Sequence, residues 1–316
     1  MMRIAFPSVF SKEKILMVQD KNFMVRDKKL INWKFTLARV LLFWLCCMIV
    51  LATVAPLVKS LPRLPSLILL SSIAAVATFL LTRLFVRKER LGLEDVGAAP
   101  RKTSFRLVLL AFVAGLVLPL LQASIVMLGG HVRLVISPAV SPAPVLLTLV
   151  LYFIAACREE LAFRGYPLRS LDNAIGPWAA QLIVATIFAI EHFIGNHSWL
   201  YGFWGPAIGS LYYGIAALRT KGLAIPIGLH VAWNFGQWII GFKGEPGIWQ
   251  VIVDKGYEAS VQKTEITSYF LVTVLAIAAI YIYPKKPKHT ASISMFGEQN
   301  KTLNITNGED NAIRQQ

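Results

Sequence analysis

The sequence predicts an all-α, polytopic transmembrane bundle of about eight spans with both termini in the cytoplasm. Three observations carry this. Of 316 residues, 56% are hydrophobic, and the mean hydropathy of +0.59 lies well above that of soluble domains. Several apolar runs approach the ~20 residues that cross a hydrocarbon layer of ~30 Å as helix. Lys and Arg fall in alternate connections: residues 1–36 carry eight, 83–106 carry seven, and Lys285, Lys286 and Lys288 follow the last run. The 129–138 connection has only Arg133, and 195–202 has none. Basic connections stay on the cytoplasmic side.

Taken in order, residues 1–36 form a basic cytoplasmic segment. It is too long and too charged to be a cleavable signal, and the run after it is itself span-length. Expected spans at 37–58, 64–86 and 106–128 make up an N-terminal membrane region reaching 138. A membrane core at 139–241 holds the next four, at 139–158, 178–194, 203–219 and 223–241. Residues 242–284 supply a connection and a last span at 267–284. Residues 285–316 are polar and read as a disordered tail, where the sequons at Asn300 and Asn304 would face the cytoplasm and stay inert. The short alternating segments of an outer-membrane barrel are absent. Such a chain is expected in the cell inner (plasma) membrane.

The net charge of +15 does not point to a nucleic-acid partner, because it is confined to alternate connections and suits anionic lipid headgroups. Cys46, Cys47 and Cys157 lie in or beside spans without CxxC spacing, so they read as apolar filler rather than disulfides or metal ligands. Nothing in the sequence specifies an oligomeric state.

Polar residues within the apolar core form three groups. The first is Glu159-Glu160-Leu161-Ala162-Phe163-Arg164, placed where the run 144–157 ends. Glu160 and Arg164 lie about 40° apart around a helix and can pair, whereas Glu159 projects about 100° away. One carboxylate is then neutralised and the other left for proton chemistry. A solvated helix end accounts for the same residues equally well. The second group is Phe188-Ala189-Ile190-Glu191-His192, with Phe188 and His192 on one face; a hydrogen-bonded packing histidine is the plain alternative. The third is His230-Val231-Ala232-Trp233-Asn234. It stacks two donors on one face, suited either to a developing oxyanion or to interhelical hydrogen bonding.

EExxxR, FxxxH and HxxxN, in that order on membrane helices, resemble the CPBP family of CAAX prenyl endopeptidases of type II and bacterial bacteriocin-processing and self-immunity (Abi) proteins. Gly165-Tyr166 after Arg164, the small residues Gly205, Gly209 and Gly214, and Thr220-Lys221-Gly222-Leu223 with Pro226 before His230 extend the resemblance. It covers about residues 140–241. It implies an intramembrane endopeptidase of glutamate type acting on a membrane-associated protein or peptide within the lipid bilayer. Glu159 would be the general base on a water that His192 helps hold. His230 and Asn234 would stabilise the oxyanion, and Glu160, paired with Arg164, would support the site or share the proton work. A cavity open to the cytoplasmic side would supply the water.

Glu191 departs from the family pattern, which has a small or apolar residue before the histidine, and is expected to point away from the site. No cofactor is implied. One Glu and two His would nonetheless suit zinc with an open position, although no HExxH occurs. Two other classes remain: a non-catalytic immunity or binding protein, and a proton-coupled transporter using membrane Glu and His as relays.

Overall fold

The structure is a computed structural model that describes residues 32–138, 140–196 and 198–282. Most of the basic N-terminal segment and the polar tail with its sequons therefore lie outside the described residues. The chain divides into units at 1–281 and 282–316, and the architecture below is that of the first. It is an α-helical bundle, and among the described residues five helical stretches are long and apolar enough to cross a membrane: Trp33–Val58, Arg63–Lys88, Ser104–Leu128, Pro177–Gly195 and Glu258–Ile282.

Helix α1 (Trp33–Val58) starts where the Asn32 side chain accepts from the Lys34 N–H at 3.1 Å, satisfying one of the orphan donors of a first turn. It packs against α2 (Arg63–Lys88). Both expose Leu, Ile and Val over much of their length, as helices bathed in lipid do. The expected third span is two helices, α3 (Ser104–Gly115) and α4 (Val117–Leu128). Pro119 explains the break, since it has no N–H to offer the Gly115 carbonyl.

The largest departure concerns residues 159–177, expected as a connection. Helix α5 (Pro142–Glu160) runs on through a π-helical turn (Leu161–Gly165) into α6 (Tyr166–Ile175). Tyr166, Leu168 and Leu171 of α6 are fully buried. Helix α6 stops at Gly176, whose φ of +84° suits a residue without Cβ. Pro177 then opens α7 (Pro177–Asn196). The result is an antiparallel hairpin that brings the residues around Glu159 level with those around His192, and Phe163 meets Phe188 edge to face at 4.9 Å. The carboxylate pair thus sits at the C-terminal end of α5, where it passes into the π-helical turn, and α6 follows beyond the non-helical Gly165, whose ψ is −115°.

A π-helical turn (Trp199–Trp204) leads into α8 (Gly205–Thr220), and Lys221-Gly222 turns the chain into α9 (Ala224–Ile240). Gly228, Ala232 and Gly236 recur every four residues along one face of α9. A Cβ on Gly228 would lie 2.3 Å from the Val108 carbonyl oxygen, one on Gly236 would lie 2.4 Å from Pro119 Cγ, and one on Gly115 would lie 2.8 Å from Ala232 Cβ. Small residues let these backbones meet closely. His230 and Asn234 are offset by two residues, about 200°, so this packing turns them to the opposite side. The last helix, α10 (Glu258–Ile282), begins nine residues before the expected 267.

The all-α expectation missed one feature: β1 (Val132–Ile136) pairs antiparallel with β2 (Trp249–Val253), with Val132 opposite Val253 and Ile136 opposite Trp249. Five-residue strands are invisible to a search for span-length runs. They define one end of the bundle, here the strand end, which also holds the 198–204 and 241–257 connections. The opposite end holds the Gly176 turn, the start of α1, and the 89–103 connection, where a Cβ on Gly97 would lie 3.0 Å from Gly222 Cα. There Phe43, Phe85 and Tyr166 cluster with ring centroids 5.2–5.4 Å apart. Tyr166 donates to the Glu89 carboxylate, which also pairs with Arg39 at 3.1 Å.

Candidate active site

A cavity of about 580 Å³ opens within the bundle. Glu159 from α5, Phe188 and His192 from α7, and His230 and Asn234 from α9 all line it. The three sequence groups, up to 75 positions apart in the chain, therefore share one wall. Glu160 and Arg164 do not line it; both are fully buried behind it.

Arg164 Nη1 lies 3.3 Å from Glu160 Oε1, the pair that the i,i+4 spacing predicts. Its guanidinium rests on the Phe188 ring at 4.6 Å and faces Tyr213 at 5.5 Å, a cation–π cradle. Phe188 thus serves the arginine as well as the histidine, whose ring centroid is 4.3 Å away.

Glu160 has a second partner that spacing alone did not indicate. His230 Nδ1 lies 2.8 Å from Glu160 Oε1 and His230 Nε2 lies 3.6 Å from Glu159 Oε2. A carboxylate accepts, so Nδ1 carries a proton. Tyr213 stacks on the imidazole with centroids 4.4 Å apart and planes 15° apart, fixing the ring between the two carboxylates. Glu159 Oε2 and Glu160 Oε2 are both buried and accept no hydrogen bond among the described residues; only Glu159 lines the cavity, which is what suits its free oxygen to an ordered water.

The other histidine is oriented by its own helix. His192 Nδ1 is 2.9 Å from the Phe188 carbonyl oxygen, which can only accept, so Nδ1 is protonated and the neutral ring keeps its Nε2 lone pair. Asn234 Oδ1 accepts from Lys243 Nζ at 2.8 Å. That contact fixes the amide and leaves its N–H donors to the cavity. Among the described residues no three of His, Cys, Asp and Glu converge as a metal-ligand set.

Two charged residues of the site escaped the sequence analysis. Arg158 directly precedes the carboxylate pair; its Nη2 lies 2.8 Å from Glu191 Oε1 and 3.4 Å from Glu159 Oε1. Glu191 Oε2 accepts from the Trp44 indole at 3.1 Å. Both Glu191 oxygens are thus engaged, and Glu191 does not line the cavity, so it is an anchor for Arg158. The signal was present: a buried arginine within an apolar run is as unusual as the glutamates beside it. Lys243 lies beyond Gly241 in a connection, where nothing in the sequence distinguishes it from a solvated lysine.

The cavity lies toward the strand end. Its rim includes Leu200 and Tyr201 from the 199–204 turn and Phe242 and Lys243 from the 241–257 connection, with Leu200, Tyr201 and Lys243 exposed. Glu160 and Arg164 close its other side.

Residues 141–236 match the family model described as type II CAAX prenyl endopeptidase Rce1-like. The matched segment spans α5 to α9 and includes all three motifs. It agrees with the resemblance those motifs carry and supports a CAAX-type membrane protease. No curated protein matches the chain.

Proposed function

We propose that the protein is an intramembrane endopeptidase of glutamate type that hydrolyses peptide bonds of a membrane-associated protein or peptide. The observation that carries this reading is the convergence of Glu159, His192, His230 and Asn234 from three helices on one cavity, with Glu160 and Arg164 held behind them. Glu159 takes a proton from a water that the His192 Nε2 lone pair orients, and the hydroxide attacks the scissile carbonyl carbon. Asn234 Nδ2 and His230 Nε2 donate to the resulting oxyanion. With Nδ1–H committed to Glu160, His230 donates from Nε2 as the imidazolium, a state flanked by both carboxylates. As the tetrahedral intermediate collapses and the C–N bond breaks, Glu159 returns the proton to the leaving amine. General base and preorganised donors each contribute about 10²–10³-fold or more.

No step runs through a metal. Activity that survives thorough chelation accords with the reading, whereas loss on chelation and recovery with zinc overturns the glutamate mechanism. The test of the function itself is proteomics of the membrane fraction, comparing wild type with Glu159→Gln. Full-length substrates accumulate in the variant if the reading holds. A variant that preserves every cleavage product and the full cellular phenotype favours a binding or immunity role instead. Proton-driven uptake in proteoliposomes would favour a transporter.

A further inference from the structure

The wall of the catalytic cavity carries one more charge, supplied by a helix outside the segment 141–236 that matches the family. Glu265 of α10 lines the cavity together with Ile266, Tyr269 and Phe270, a spacing that forms one helical face. Its carboxylate is half-buried. Among the described residues it has no cationic partner and accepts no hydrogen bond. Lys263, the nearest lysine in sequence, lies about 200° away around α10. The other charges on this wall are engaged. Glu159 has Arg158 and His230 beside it, and the Lys243 ammonium donates to Asn234. An unpaired carboxylate on a membrane helix is costly to keep, and it points to a ligand that supplies the missing charge.

The position of Glu265 is fixed through its backbone. Gln122 Nε2 donates to the Glu265 carbonyl oxygen at 3.0 Å, and Gln237 Nε2 donates in turn to Gln122 Oε1. Gln237 stands one turn beyond Asn234 on α9, about 4.5 Å of rise. This amide relay therefore ties α10 to the helix face that carries the oxyanion donors. Aromatic rings line the same stretch. Trp233 packs on Tyr269 with centroids 5.0 Å apart, and Tyr269 is held in turn by donating to the Gly205 carbonyl at 2.7 Å. At the rim, partial burial and the nearby Glu265 carboxylate both push the Tyr201 phenol up. A carboxylate among aromatic rings attracts a cation in two ways, by charge-assisted hydrogen bonding and by cation–π contact.

Resting on the endopeptidase reading, we propose that Glu265 is a specificity residue that takes a Lys or Arg side chain of the substrate polypeptide. The cationic side chain lies against the Trp233–Tyr269 pair. An extended chain advances about 3.3 Å per residue, so the recognised residue falls within a few positions of the carbonyl held by Asn234.

The test uses the purified full chain and short, fluorescently labelled apolar peptides in which lysine, norleucine or glutamate occupies each position in turn. At one position wild type should cleave the lysine peptide with a kcat/KM about tenfold above that of its norleucine twin, as one charge-assisted hydrogen bond supplies. In Glu265→Gln that preference disappears, and in Glu265→Lys the glutamate peptide becomes the best of the three. Wild type indifferent to lysine at every position, or Glu265→Gln with the preference intact, overturns the proposal. Fluorescence anisotropy with the Glu159→Gln protein reads the subsite without chemistry. Tighter binding of the lysine peptide that is lost on adding Glu265→Gln supports the subsite, and equal binding of lysine and norleucine peptides overturns it. Should Glu159→Gln cleave every peptide as wild type does, the endopeptidase reading fails while the binding result stands by itself.

Discussion

Glu159 and Glu160 are sequence neighbours in opposite surroundings. Glu159 lines a cavity and shares Arg158 with Glu191. Glu160 has no exposure, and a guanidinium and an imidazole share one of its oxygens. The difference arises from one step of 100° on a helix and from what each side meets: the cavity wall on one, the Arg164–Phe188–Tyr213 stack on the other. Identical side chains thereby separate into a group with room for chemistry and a group whose neighbours depend on its charge. His230 is the link, since it touches both.

This contrast is broken most strongly by Glu159→Gln. A cavity-facing base should take with it roughly 10²–10⁴-fold in kcat/KM, with thermal stability unchanged within error. Next is Asn234→Ala, which removes an oxyanion donor and should lower kcat about 10²–10³-fold while KM changes little. On the closed side the effect moves from rate to stability. Arg164→Met leaves Glu160 buried with only His230 for company, and breaking such a pair costs about 3–5 kcal/mol, readable as a lowered Tm in detergent. Arg158→Met combined with Glu191→Gln removes the anchor without stranding a charge. It should reduce kcat about tenfold at constant KM and constant Tm if Arg158 positions Glu159, whereas a fall in Tm alone would make it a structural tie. The smallest change is expected of Lys243→Met. Losing one hydrogen bond of about 1 kcal/mol to Asn234 corresponds to roughly fivefold in kcat.

The motif residues could be found in the sequence because they interrupt long apolar runs, where a polar group stands out against its background. The i,i+4 spacings also predicted two contacts correctly, Glu160 with Arg164 and Phe188 with His192. Spacing had no access to partners brought close by the hairpin. Arg158 and Glu191 are 33 positions apart, and Trp44 lies 147 positions from Glu191. Helix α6 was lost to the expectation of a connection, because its Arg169, Ser170, Asp172 and Asn173 lower the hydropathy while its buried face does the packing. The stripe of Gly228, Ala232 and Gly236 was in plain view, and it sets the direction in which His230 and Asn234 face. The end of the bundle to which the cavity opens needed the fold, since it depends on which connections are neighbours in space.

The most direct measurement compares Glu159→Gln and Glu160→Gln side by side, reading substrate cleavage in the membrane fraction and Tm for each. The expected result is a stable, inactive Glu159 variant beside a Glu160 variant whose Tm is lowered. A Glu159 variant that keeps cleaving, or two variants indistinguishable in both activity and stability, would contradict the division of roles between the two carboxylates.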